Sequence, residues 1–142
     1  KALFFAGDIG SITIGMLVFF VGLYFMFSLG SPLILLLVLV YGADAGNTLL
    51  YRKIFTKESI FDPHRHHIYQ KLVDQTKMSH LQVSLIYAFI QILVNVIVLN
   101  SYKLAIQPQI FIFMGFVFVF MVSYLFLFNI LKKVNKINNN LL

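Results

Sequence analysis

The longest polar segment of this chain, residues 51–71, carries the side chains best suited to chemistry. Within it, Asp62 and Pro63 are followed by three histidines and one arginine, in the order His64, Arg65, His66 and His67. Arginine can donate two parallel hydrogen bonds to phosphate oxygens, and the imidazoles add further anion contacts. The cluster therefore favours binding of a diphosphate or stabilisation of charge on a transferring phosphoryl group.

Two other interpretations of this loop remain open from the residues alone. The first is a solvated loop whose positive charge only fixes membrane topology. The second is a zinc site, although zinc motifs such as His-Glu-x-x-His are absent. The sequence also contains neither a Walker glycine loop nor a Gly-x-Ser-x-Gly elbow, which argues against a nucleotide-driven pump and a serine hydrolase.

A second polar piece lies at the start of the chain, where Gly7 and Gly10 flank Asp8 just before an apolar run. An aspartate there can hold Mg²⁺, and a neighbouring helix N-terminus can assist with phosphate charge. The alternative is a glycine turn in which Asp8 only supports a helix capped by Ser11.

Asp44 is the third candidate, and it lies inside an apolar stretch with Gly42, Gly46 and Asn47 nearby. Because a carboxylate costs several kcal/mol in lipid, we expect it to face protein or a wet cavity near the polar loop. It is either a structural hydrogen-bonding group or part of an ion or substrate path. The small-residue pair Gly42 and Gly46 predicts close approach of another helix.

The composition shows that these polar pieces must be held by a membrane protein. Of 142 residues, 60% are hydrophobic and 11% charged, with a mean hydropathy of +0.88, whereas soluble domains carry about 25% charged residues. The net charge of +6 lies beside apolar spans, so membrane topology explains it better than nucleic-acid binding. The absence of cysteine excludes disulfides and thiolate chemistry.

The fold class expected is an all-α, polytopic transmembrane helical bundle of about four spans, covering residues 12–29, 32–51, 81–100 and 109–131. Gly30-Ser31-Pro32 predicts a tight turn between the first two spans, with Ser31 as the cap of the second. Gln91 and Asn95, inside the third span, are expected to face other helices. Residues 52–80 form the polar loop, and the basic tail 132–142 is expected to be loosely ordered.

Lysine and arginine set the expected orientation. With the loop on the cytoplasmic side, ten of the 11 basic residues are inside and only Lys103 is outside. Both polar pieces and the tail then lie on the cytoplasmic face.

Three segments together resemble a known family. They are Phe5-Ala6-Gly7-Asp8-Ile9-Gly10-Ser11, the in-helix Asp44 followed by Arg52-Lys53, and Phe61-Asp62-Pro63-His64-Arg65-His66-His67-Ile68-Tyr69-Gln70-Lys71-Leu72. Their order and spacing are similar to those in the C-terminal half of the polyprenyl-phosphate N-acetylhexosamine-1-phosphate transferases. This group includes the phospho-MurNAc-pentapeptide translocase and the undecaprenyl-phosphate GlcNAc-1-phosphate transferases.

The resemblance implies a Mg²⁺-dependent glycosyltransferase of the inner, cytoplasmic membrane, with Mn²⁺ as an alternative ion. Such an enzyme moves a sugar-1-phosphate from a UDP-N-acetylhexosamine to undecaprenyl or another polyprenyl phosphate and releases UMP. It initiates peptidoglycan or other cell-wall polysaccharide biosynthesis. By resemblance Asp8 is the catalytic metal ligand, and Arg65 and His67 match the basic and histidine positions that contact the diphosphate. Together with the loop chemistry described above, this predicts His67 as catalytic and Arg65, His64 and His66 as substrate-binding residues.

The family also carries an adjacent aspartate pair in its N-terminal half, and no such pair occurs in this chain. The chain begins at Lys1 without a methionine, so we expect it to be the C-terminal part of one transferase domain and inactive alone. The competing interpretation is a non-enzymatic transporter half or assembly scaffold, with Asp44 on a transport path. The oligomeric state stays open, a homodimer included.

Overall fold

The computed structural model describes residues 7–56, 67–76 and 78–140. In these ranges the chain forms helices and no strand. The elements in order are α1 (Gly7–Leu29), a 3₁₀ helix (Pro32–Val38), α2 (Leu39–Tyr51), a π-helical turn (Arg52–Thr56), α3 (Ile68–Gln75), α4 (His80–Ser101) and α5 (Ile106–Asn140). The prediction of an all-α transmembrane bundle is confirmed.

Four helical stretches are long and apolar enough to cross a membrane, namely Ile12–Leu29, Pro32–Ile54, His80–Ser101 and Ile106–Val134. Each contains or closely matches a predicted span. The close agreement arises because hydrocarbon thickness sets the length of a span, and hydropathy, which is read directly from the sequence, shows where each span lies. The protein is therefore a multi-pass membrane protein.

Two local predictions differ from the structure. Ser11 does not cap the first helix, because α1 already begins at Gly7. The tail is not loose up to Asn140, since α5 continues through it as one helix. Apolar span length gives no signal for where a helix ends outside the membrane, and the lysine and asparagine residues of this tail are compatible with helix.

One end of the bundle, which we call the hairpin end, holds the two short connections 30–31 and 102–105. Gly30 adopts φ +60°, which ends α1 in the left-handed conformation as predicted. Ser31 occupies the N-cap position but makes no cap hydrogen bond. Its Oγ instead donates to Gln109 Oε1 at 2.6 Å. The Gln109 amide also donates to the carbonyls of Tyr102 and Leu104, at 3.0 and 2.7 Å.

The second span is not one regular helix, because its first seven residues are 3₁₀ and only the remainder is α-helical. A change of helix type frees backbone groups, which must find partners inside a membrane. Gln91 of α4 supplies them: its Oε1 accepts from Val40 N at 2.9 Å, and its Nε2 donates to Leu36 O at 3.0 Å. A third bond, within α4, joins Gln91 Nε2 to Asn95 Oδ1 at 2.7 Å. Gln91 therefore faces protein as predicted.

Tight packing near the hairpin end centres on the 3₁₀ helix. Its Leu33, Ile34 and Leu36 are buried against Val94 and Val98 of α4. Most other apolar side chains, including nearly all those of α1, are exposed on the helix surfaces. Since lipid is as apolar as these side chains, such exposure carries no hydrophobic penalty in a bilayer.

The predicted helix approach at Gly42 and Gly46 is not seen in the described part of the chain. A Cβ atom added at either glycine would have no heavy atom within 4 Å. Both glycines line a shallow apolar groove between α2 and α5, with Val117 and Met121 on the opposite wall. The spacing of the two glycines indicated a helix face of small residues, but it did not indicate which helix would pack against that face.

Candidate functional site

We call the opposite end of the bundle, where α3 lies, the loop end. Its polar centre is Asp44. Its side chain is only 7% exposed. Oδ1 accepts a hydrogen bond from the backbone N–H of Ile68 at 2.9 Å, and Oδ2 accepts one from the Tyr87 hydroxyl at 3.3 Å. The prediction that Asp44 faces protein is confirmed. Of its two predicted roles, the contacts are those of a hydrogen-bonding group that joins α2, α3 and α4.

His67 is the predicted site residue that the structure brings to this centre. It occupies the N-cap position of α3, with an extended backbone at φ −61° and ψ 142°. Its Nδ1 lies 3.9 Å from Asp44 Oδ1, which is too long for a hydrogen bond. The side chain is 25% exposed, and its ring stacks on Tyr69 with centroids 5.5 Å apart. An imidazole held in this way can still reach a ligand.

The first turn of α3 is anchored by packing as well as by Asp44. Ile68 is buried in a cluster with Tyr124 and Leu131 of α5. Tyr124 in turn exchanges a hydrogen bond of 3.2 Å with the Thr48 hydroxyl of α2. The residue that follows His67 therefore has its backbone bound to α2 and its side chain packed on α5, so the position of His67 is fixed from both sides.

Further along α3, Lys71 faces α5. Its Nζ lies 4.9 Å from the centroid of the Phe128 ring, a cation–π distance. Burial lowers the pKa of Lys71, while the nearby Asp74 acts in the opposite direction. The aliphatic stem of this lysine thus covers apolar surface at the membrane boundary while the amine remains near the ring face.

The other predicted site residues are not brought into this cluster by the described part of the chain. His64, Arg65 and His66 lie outside the described residues, so their predicted substrate contacts stay predictions. The backbone of Asp8 is in the first turn of α1, and its side chain lies outside the described part. Helix α1 makes its main contacts with the 3₁₀ helix, near the opposite end of the bundle.

A divalent cation at the loop end would need several oxygen ligands close together. Among the described residues no group of three histidine, cysteine or acidic side chains converges. The Asp44 carboxylate is already engaged by Ile68 and Tyr87. These residues by themselves do not fit a Mg²⁺ site, which would require ligands from elsewhere in the protein.

Arg52 and Tyr87 are not among the site residues predicted from the sequence. Arg52 is fully buried at the start of the π-helical turn that follows α2, and π-helical turns are frequent at functional sites. Tyr87 looks like any aromatic residue of an apolar span, and only its contact with Asp44 identifies it. For Arg52 a signal existed, because a charge two turns beyond Asp44 on the same helix suggests a shared environment.

The chain was compared with models of known protein families, with curated proteins and with solved structures, and no match was found in any of the three.

Proposed function

We propose that this protein acts in the transfer of a sugar-1-phosphate from a UDP-N-acetylhexosamine to a polyprenyl phosphate in the membrane, releasing UMP. The proposal includes a site on the cytoplasmic face of the inner membrane, a requirement for Mg²⁺ or Mn²⁺, and a role in starting a cell-envelope polysaccharide or peptidoglycan precursor. It draws on the resemblance of three segments to the transferase family and on the chemistry of the loop end.

One observation supports the proposal best: a partly exposed histidine is held rigidly at a polar end of a membrane bundle. His67 is fixed between a buried carboxylate and a packed helix, yet a quarter of its side chain is exposed. Functional groups must be held in place by their surroundings and still be accessible to a ligand, and His67 meets both conditions. Its place directly after His64, Arg65 and His66 gives the loop an anion-binding composition.

In the reaction, an oxygen of the lipid phosphate attacks the β-phosphorus of the UDP-sugar. The new oxygen–phosphorus bond forms as the bond from the β-phosphorus to the bridging oxygen breaks, and UMP leaves with that oxygen. Arg65 and the histidines of the loop would bind the diphosphate and stabilise its developing charge. Asp8 would be one ligand of a divalent cation, which would supply charge neutralisation at the phosphates when bound.

The test is an assay of UMP release by the full-length protein in detergent, with polyprenyl phosphate, MgCl₂ and a panel of UDP-N-acetylhexosamines. We expect UMP only when lipid phosphate and metal are both present. Asp8→Ala should remove most turnover, while Arg65→Ala should chiefly raise the KM for the UDP-sugar. Folded protein that releases no UMP with any donor would reject the transferase.

A transporter half or assembly scaffold is the second candidate, and the interrupted second span is the observation that favours it. Helices broken inside the membrane often form transport sites. Here, however, the groups freed at the break are bonded to Gln91, so they are not offered to a substrate. Uptake of the UDP-sugar into proteoliposomes without UMP release would favour the transporter.

A further inference from the structure

We infer that Asp44 is a positioning residue, which holds the first turn of α3 and thereby fixes His67 against the substrate diphosphate. The inference rests on the proposed function for the substrate, whereas the hold itself is a property of the fold. It assigns Asp44 a structural use of its oxygens and removes it from an ion or proton path.

The geometry of the carboxylate carries the first step. Asp44 Oδ1 accepts from Ile68 N at 2.9 Å, which is the first backbone N–H inside α3. The first N–H groups of a helix have no partner within the helix, and a negative charge there also interacts favourably with the helix dipole. The N-cap residue of α3 is His67, and its side chain makes no capping hydrogen bond. Asp44 thus caps α3 from another helix, 24 residues earlier in the chain.

The second step concerns how the carboxylate itself is held. The Tyr87 hydroxyl donates to Oδ2 at 3.3 Å, so one oxygen serves α3 and the other is tied to α4. With both oxygens bonded, rotation of the carboxylate would break at least one bond. The capping oxygen is therefore fixed in direction, and it fixes the start of α3 in turn.

The third step links this hold to His67. The residue adjacent to the capped N–H is His67, and its Nδ1 lies 3.9 Å from the capping oxygen. Movement of the first turn of α3 would carry the imidazole with it. A displacement of about 1 Å at a reacting group can cost on the order of 100-fold in rate. Loss of the cap should therefore act on the reaction through His67.

Two substitutions of Asp44 separate positioning from a need for charge. In Asp44→Asn, the amide oxygen can accept from Ile68 N, and the amide nitrogen can donate to the Tyr87 hydroxyl. Both bonds are kept while the charge and the exchangeable proton site are lost. Asp44→Ala removes both bonds. The matched control is Asn47→Ala on the same helix, since Asn47 lines the apolar groove with Leu50 and Met121 instead of facing α3.

The kinetic measurement is kcat/KM for UMP release by the full-length protein. We expect Asp44→Ala to lose about 10- to 100-fold, Asp44→Asn to lose less than about threefold, and Asn47→Ala to match the wild type. In the background of His67→Ala, Asp44→Ala should cause no further loss, because both changes act on the same group. Equal losses in the Asn and Ala variants, or full additivity with His67→Ala, would overturn the inference.

Backbone hydrogen exchange of residues 68–75, measured by mass spectrometry on the same samples, tests the hold without reference to activity. Protection of this segment should be kept in Asp44→Asn and lost in Asp44→Ala. If the wild type releases no UMP, the proposed function fails and the exchange data alone decide whether Asp44 holds α3. Unchanged protection in the Ala variant would overturn the inference even if the transferase is real.

Discussion

The two ends of the bundle both bury polar side chains, but they use different groups and leave different amounts exposed. At the hairpin end, Ser31 and Gln109 are neutral, almost fully buried and bonded to each other. At the loop end, the central group is the carboxylate of Asp44, which is bonded to a backbone N–H and a tyrosine. Beside this carboxylate lies the imidazole of His67, which is partly exposed.

The difference separates structure from candidate chemistry. Neutral amide and hydroxyl groups cost less to desolvate than a carboxylate, and they are sufficient to join the two short connections at the hairpin end by hydrogen bonds. A buried carboxylate costs more to desolvate, so it must be held by hydrogen bonds that offset the cost. Both oxygens of Asp44 accept such bonds, and one of them caps α3 beside His67. The loop end is therefore the end that we propose to be functional.

The largest effect that we expect from a substitution at either end is a loss of activity at the loop end. His67→Ala should reduce kcat/KM for UMP release by on the order of 100-fold or more, with no change in the thermal unfolding midpoint in detergent. His80→Ala is the matched control, because His80 is exposed at the start of α4 on the same end. Equal losses in the two variants would mean that the loop end is not a specific site.

At the hairpin end the expected effect is on stability instead. Gln109→Ala removes three hydrogen bonds and leaves the Ser31 hydroxyl without its acceptor, which should cost about 2 kcal/mol of unfolding free energy. Gln107→Ala is the control, since Gln107 is exposed. Denaturant unfolding in detergent measures both. A Gln109 variant that is stable but inactive would contradict the comparison, because it would place function at the hairpin end.

Between the two ends, Gln91 should contribute to stability but less than Gln109. Gln91→Leu keeps the side-chain volume and removes the bonds to Val40, Leu36 and Asn95. Hydrogen bonds between membrane helices average about 0.6 kcal/mol each, so the loss should be about 1 to 2 kcal/mol. Asn100→Leu, at an exposed position of α4, is the control. A larger loss than that of Gln109→Ala would contradict this order.

The smallest effect expected is a pH dependence of stability at the loop end. The pKa of Lys71 is lowered by burial in the folded protein, so the folded state binds fewer protons than the unfolded state as pH approaches the ordinary value of 10.5. Unfolding free energy should therefore rise slightly with pH just below 10.5. Lys71→Met should abolish the rise, as followed by thermal unfolding at several pH values. An unchanged slope in the variant would place its origin elsewhere.

Some details of packing were predictable because the sequence has few polar residues in its spans. An amide or carboxylate at membrane depth must find protein partners, so Gln91, Asn95 and Asp44 were expected to face protein. Gln91 and Asp44 bond to other helices, and Asn95 bonds to Gln91. Gly30 was predictable for a different reason, since its left-handed conformation is rare for other residues. These are cases in which one residue type permits few environments.

The partners themselves were not predictable. Ser31 has the sequence position of a helix cap but bonds to Gln109, 78 residues later. Nothing in the apolar run 32–51 indicates that its first part is 3₁₀, because Gln91 alone makes that break tolerable. The short α3 also escaped prediction, since its first turn is stabilised by Asp44 and Ile68's contacts with α5 instead of by its own cap.

Residue types alone predict four membrane spans and indicate which few polar residues must be enclosed. Hydrocarbon thickness and the cost of buried polar groups fix those outcomes locally. Tertiary structure decided that Asp44 caps α3 and holds His67, and that Gly42 and Gly46 line an open groove. The reason is that all apolar helix faces are equivalent in lipid, so only the packed bundle selects which faces, and which distant polar groups, meet.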